Sequence, residues 1–235
     1  MPYKKPILKE ILAELHLASG ALPPARFLAI INACAAAGFS EVEFLQVGTV
    51  SVGGDGNTTS TSMPRIRCWR PQRTACVQLS QDFVAVNYAD VYPGKAAFLD
   101  LVDSVLALLA AALPGMALRE VAVVVIDELK QPAGFRLGDY FLCDGALLPT
   151  ILGDATTSAD TTINWGPAEA RRGVVLAMQP QADGGVGVML QSFLRARAPT
   201  QPPLDVVREL VEDSAQLFRR LVTDRMKTEV MGGEL

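Results

Sequence analysis

Along residues 7–17, Ile7, Lys9, Ile11, Ala13, Leu15 and Leu17 alternate with Leu8, Glu10, Leu12, Glu14 and His16, which predicts a strand buried chiefly on one side. Pro24 then opens a helix through Phe27, Ile30, Ile31 and Cys34 that stops at Gly38. Residues 39–52 form a second strand, and Gly53-Gly54-Asp55-Gly56-Asn57 with the Thr/Ser run after it predicts a loop. Strand-like stretches at 65–69, 74–79 and 83–88 are separated by so few residues that antiparallel hairpins must join them. Pro93 opens the next helix, whose apolar face includes Phe98, Leu101, Val102, Val105, Leu108, Leu109 and Ala112, and Pro114-Gly115 ends it.

A looser version of this plan follows. Residues 118–129, centred on Val121-Ala122-Val123-Val124-Val125-Ile126, form a β-branched run with the composition of a strand buried on both faces. After a weakly patterned stretch around Tyr140-Phe141-Leu142 come strand candidates at 161–165, 173–179 and 186–194, the last two joined by an Asp183-Gly184 hairpin signal. Pro202-Pro203 opens a final helix with Leu204, Val207, Val211, Ser214, Phe218 and Leu221 on one stripe, and Gly232-Gly233 follows it. The element order predicts an α+β fold of two pseudo-repeated halves, residues 1–115 and 116–235, each an antiparallel sheet covered by long amphipathic helices. One continuous domain is the alternative. No residue-level repeat is visible, so the duplication rests on element order alone.

Composition narrows the class. Half of the 235 residues are hydrophobic, 20% are charged and the formal net charge is -4, which excludes disorder. The first residues form no signal-peptide core, and the longest apolar run, 105–113, is far too short to span a bilayer, so a cytoplasmic protein away from membranes is expected. Cys34, Cys68, Cys76 and Cys143 have neither CxxC spacing nor the density of a secreted scaffold, and are expected as reduced, buried thiols.

Several stretches resemble a sporadically distributed bacterial family of uncharacterised two-part α+β proteins. They are Lys5-Pro6-Ile7-Leu8-Lys9-Glu10-Ile11, Asn87 with Tyr92-Pro93 before the Phe98 helix, and Val123-Val124-Val125-Ile126-Asp127. Leu217-Phe218 and Leu221-Val222-Thr223-Asp224 add the C-terminal helix and the usual ending of that family. Members carry an Arg just before the Asn or Asp of the middle strand, where this chain has Val124 and Val125. The resemblance implies a bacterial cytoplasmic protein linked to defence or mobile genes. It supplies no catalytic residue.

The chemical signals are mostly absences. There is no G-x-S-x-G elbow, no H-E-x-x-H, no Walker A and no G-x-G-x-x-G after a strand, and the single His, His16, leaves little room for imidazole catalysis or zinc. No cofactor is expected. Asp100 and Asp103 suit the solvated face of their helix, while Asp139 and Asp144 flank an irregular stretch. Asp127, beside Glu128 at the end of the apolar strand, is the first candidate if a Mg²⁺-type carboxylate site exists. The Gly53-Gly54-Asp55-Gly56 turn lacks the helix N-terminus that usually completes a phosphate cradle.

The most localised charge signal is Arg65-Ile66-Arg67-Cys68-Trp69-Arg70-Pro71-Gln72-Arg73. In an extended strand Arg65, Arg67 and Trp69 share one side, which with Arg70 and Arg73 makes a candidate face for a protein partner, an anionic ligand or nucleotide, or single-stranded nucleic acid. Arg171, Arg172, Arg195 and Arg197 would extend it if the sheets align, and the stripe of the last helix would suit self-association. The leading expectation is a non-enzymatic interaction or scaffold protein with a protein partner or a second copy. A ligand or nucleic-acid module on the Arg/Trp face, and then a carboxylate-dependent metalloenzyme, are the alternatives.

Overall fold

A computed structural model describes residues 7–18, 22–52, 58–90, 92–131, 137–141, 159–180 and 185–232. The first half contains β1 (Leu8–Leu17), α1 (Pro24–Ala36), β2 (Glu41–Val52), β3 (Thr58–Trp69), β4 (Ala75–Leu79), β5 (Phe83–Ala89) and α2 (Lys95–Ala112). The second contains β6 (Leu118–Gln131), the single turn α3 (Leu137–Tyr140), β7 (Ala159–Trp165), β8 (Arg172–Pro180), β9 (Val186–Arg197) and α4 (Pro203–Leu221). Among the described residues, nine strands make one antiparallel sheet in the order β2-β3-β4-β5-β1-β6-β9-β8-β7. The fold is therefore α+β. Its halves share a single sheet rather than holding one each, because β1 pairs with β5 on one side and with β6 on the other.

Alternation fixes the two faces of this sheet. Ile11, Ala13, Leu15 and Leu17 are buried, and their cross-strand partners continue the apolar layer: Ala13 lies opposite Val86 and Val123, and Leu15 opposite Val84 and Val121. All three long helices pack on this side. α1 contacts β3, α2 contacts β5 and both other helices, and α4 contacts β6 and β9. Phe98, Leu101, Val102, Val105 and Leu109 of α2 are buried in this layer, at roughly 1.5–3 kcal/mol of hydrophobic stabilisation for each fully covered side chain. Two apolar clusters result. The larger lies under the helices, and a smaller one gathers Leu129, Phe141, Leu176, Val188, Leu221 and Met226.

Local signals explain the element ends. Pro24 starts α1 where no amide hydrogen is needed, and Gly38 and Gly115 follow α1 and α2 with φ of +88° and +77°. Val206, Val207, Leu210, Val211, Ser214 and Leu221 of α4 are buried, so much of the stripe whose spacing suited self-association packs on this chain's own sheet. Val121, Ala122 and Val123 are buried whichever way they point, whereas Val124 and Ile126 are only half-buried on the face without long helices.

The Thr/Ser run expected as loop is strand: Thr58, Thr59, Ser60, Thr61 and Ser62 begin β3, paired with Val52, Ser51, Val50, Thr49 and Gly48. Branching at Cβ favours extended backbone in Thr, and the ladder satisfies the amides that polarity alone would leave to water. The Gly53-Gly54-Asp55-Gly56 turn, Leu142, Cys143, Asp144 and the Asp183-Gly184 signal lie outside the described residues.

Outward from the β1–β6 pair the order is β1-β5-β4-β3-β2 on one side and β6-β9-β8-β7 on the other. Leu8-Lys9-Glu10-Ile11 begins β1, and Leu118-Arg119-Glu120-Val121 begins β6. Just after β5, Asp90 has φ +62° and its N–H donates to the Lys9 carbonyl at 2.7 Å. Just after β9, Ala198 has φ +44° and its N–H donates to the Arg119 carbonyl at 2.7 Å. The buried positions Phe98, Leu101, Val102 and Val105 of α2 have the same spacing as Val207, Leu210, Val211 and Ser214 of α4.

Candidate functional site

β3 directs Arg65, Arg67 and Trp69 away from the long helices, and Cys68 into the core, as alternation predicts. Their partners are already in place. The indole Nε1–H of Trp69 donates to Glu43 at 3.0 Å, and the ring is only 8% exposed. Arg67 and Arg73 hold their guanidinium carbons 5.8 and 5.0 Å from that ring's centre, within cation–π range. Arg67 also donates from Nε to Gln78 at 3.1 Å, and Arg73 reaches Glu43 at 3.0 Å and Glu41 at 3.9 Å. The Trp69 hydrogen bond, helped by Arg73, holds the Glu43 carboxyl below the usual carboxylate range.

The remaining two arginines of the candidate face are likewise engaged. Arg70 lies over Phe39 at 4.9 Å, and Arg65 over Phe83 at 5.4 Å with its Nε buried and without an acceptor among the described residues. A turn at Pro71–Arg73, with Gln72 and Arg73 at φ +72° and +54°, brings Arg73 back over Trp69. Here the basic run is a locally engaged layer, in which Glu41 and Glu43 answer part of the charge and aromatic rings cover the rest. Its indole face is covered rather than offered to a base.

The other arginines do not extend it. Arg195 and Arg197 share the face but stand five strand spacings from β3, roughly 24 Å, and bind Glu120 at 3.6 and 3.2 Å. Arg172 turns to the helix side and binds Asp213 at 2.7 Å. Between these groups His16 lies 3.1 Å from Glu14 and 3.8 Å from Glu120, with its ring tilted against Phe83. On the same face Asn87 donates to Glu10 at 2.6 Å and accepts from the Cys76 thiol, which burial pushes up to about 12, far from a nucleophilic thiolate.

Asp127 belongs to the opposite, helix-covered side. It lies across from Leu8 and Leu190, between Val125 of the larger apolar cluster and Leu129 of the smaller. Only 6% exposed, its carboxyl is pushed up to about 7 by burial. Among the described residues, no group of three His, Cys, Asp or Glu side chains is placed to hold a metal ion. Asp100 and Asp103 are exposed on α2.

One feature escapes sequence reasoning. β2 ends the sheet, and on its helix-side face Val42 is 39% and Phe44 73% exposed. Twelve residue pairs join β2 to β3, but β4 covers only Ile66–Trp69, so the outer part of β2 and β3 continues beyond β4 as a two-stranded ribbon. The signal is Glu41-Val42-Glu43-Phe44, a clean alternation whose meaning depends on the strand lying at an edge. Among the described residues no helix is long and apolar enough to cross a membrane. No protein-family model matches the chain, and no curated protein is similar to it.

Proposed function

We propose that the chain is a non-enzymatic interaction protein of the cytoplasm that takes a partner polypeptide as an extra strand along the free edge of β2. The observation that carries this reading is Phe44, a large apolar side chain 73% exposed on a terminal strand. Edge strands expose unpaired amides and carbonyls and are ordinarily guarded by charge, shortness or cover. β2 is long, and an isolated two-stranded ribbon such as its outer part is marginal in water until a further strand joins. At the other edge, β7 exposes the polar Thr162 and Asn164, with Trp165 at 37%.

The two halves are, in this reading, copies of one unit in which a strand, an intervening segment, a returning meander and a long helix follow in turn. The shared Leu-Lys/Arg-Glu-Ile/Val start and the matched left-handed residues Asp90 and Ala198 support it. A bacterial assembly linked to defence or mobile genes is the setting implied by the family resemblance. A nucleic-acid role on the Arg65, Arg67, Trp69 face is less well supported, because Arg67 and the indole already have partners.

A photo-crosslinking residue at position 44 should yield a product in cells that carry the gene in its own neighbourhood, and the linked peptide should be an extended segment of one defined protein or of a second copy. The same residue at position 164 should not give that product. Phe44→Lys should abolish co-purification of the linked protein while changing unfolding free energy by no more than about 0.5 kcal/mol. A product formed equally from both edges, or none from position 44, would sink the proposal.

A further inference from the structure

The second tryptophan occupies the opposite kind of setting from the first. Trp165, Arg172 and Leu194 form a row across β7, β8 and β9, each directly opposite the next, on the helix side of the sheet. α4 faces this row with Gln216, Leu217 and Arg220, and together they line an open cavity of about 210 Å³. Asp213, Gln216, Leu217 and Arg220 are spaced 0, 3, 4 and 7 along the helix, which puts them on one stripe. The cavity thus has an aromatic wall 37% exposed at its mouth, two leucines in its lining, and an amide with two guanidinium groups for polar contacts.

Charge decides what such a cavity takes. Arg172 is fixed from two directions, by Asp213 at 2.7 Å and by the Arg195 carbonyl at 3.2 Å, so its charge is largely answered. Arg220 makes no ion pair or hydrogen bond among the described residues. Two arginines against one aspartate leave the lining with one unit of positive charge, carried at Arg220. An indole beside a planar guanidinium fits a planar ring that ends in a carboxylate, with the ring against Trp165 and the two oxygens on the fork of Arg220. The volume is below the range usual for drug-sized ligands, which points to one ring rather than a nucleotide.

The geometry points to a binding site for a single-ring aromatic carboxylate between Trp165 and Arg220. It is independent of the β2 edge and lies at the other end of the sheet. A monoanion matches the surplus charge, whereas a phosphate dianion would exceed it.

Titration of the whole chain with benzoate, followed by tryptophan fluorescence and by calorimetry, tests the site. Saturable binding with Kd of about a millimolar or tighter is expected for a ligand of this size. Benzyl alcohol and cyclohexanecarboxylate should each bind at least about tenfold more weakly, since each lacks one of the two matched features. Arg220→Gln should weaken benzoate about tenfold, and Trp165→Leu should remove both the fluorescence change and most of the binding. Both variants alter partly or fully exposed side chains, and an unchanged far-ultraviolet circular dichroism spectrum verifies that they fold. The site is overturned if benzoate does not saturate, if benzyl alcohol binds as well, or if Arg220→Gln leaves affinity unchanged. Tighter binding of phenyl phosphate than of benzoate overturns the assignment to a carboxylate.

Discussion

Trp69 and Trp165 each sit on a strand with an arginine across from or beside them, toward opposite ends of the same sheet, yet they are in different chemical states. Around Trp69, Glu43 accepts a hydrogen bond from the indole N–H and two guanidinium groups lie against the ring. Among the described residues, the cavity beside Trp165 holds one ion pair, Arg172 with Asp213, and Arg220 makes none. A basic and aromatic composition therefore does not make a binding face. Availability depends on whether the next strand or helix supplies the counter-charge.

The largest effect concerns the seam between the two apolar clusters. Asp127 keeps its proton in the folded chain up to about pH 7, against an ordinary value of 3.8, so the folded state is favoured below pH 4 and loses about 4 kcal/mol as pH rises from 4 to 7. Asp127→Asn should lack that loss. Urea unfolding of both proteins at pH 4.5 and pH 8 measures it, and parallel pH dependences would mean that water reaches the seam.

The tryptophans themselves give the next effect. Trp69→Ala should cost about 3 kcal/mol in urea unfolding, because it empties a buried ring site and strands the partners on Glu43, while Trp165→Ala should cost under about 1 kcal/mol. Equal costs would erase the distinction between a structural and an accessible ring.

The smallest effect separates the two halves. Ala198→Gly should stabilise by about 1 kcal/mol, since a left-handed alanine is strained and a glycine is not. Asp90→Gly should gain less, because Asp tolerates that conformation better and its side chain pairs with Lys9. Thermal unfolding of the two variants ranks them, and a larger gain at Asp90 would mean that the two turns are not equivalent.

Much of the fold is legible in the sequence, because alternation and proline or glycine punctuation are local. The helices from Pro24 and Pro203, the Arg65–Trp69 strand with its inward Cys68, and the hairpins after it all follow from such signals. The merging of both halves into one sheet does not, since nothing local to residues 8–17 says that their second neighbour begins at Leu118. Leu8-Lys9-Glu10-Ile11 and Leu118-Arg119-Glu120-Val121 were a legible hint of equivalence, too short to stand out without the hydrogen bonds that flank it. The sites were least legible. Arg67 and Arg73 look free until Gln78 and Glu43 are brought to them, and Arg220 acquires a cavity only when α4 is laid beside Trp165.

The central place of β1 carries a consequence for synthesis. β1 is made before the other eight described strands yet lies inside the sheet, and its partner β6 starts at Leu118. At cellular elongation rates that interval lasts on the order of ten seconds. Throughout it β1 has one long edge open on the side away from β5. Closure of the sheet joins segments about a hundred residues apart, a step of high contact order of the kind that slows folding.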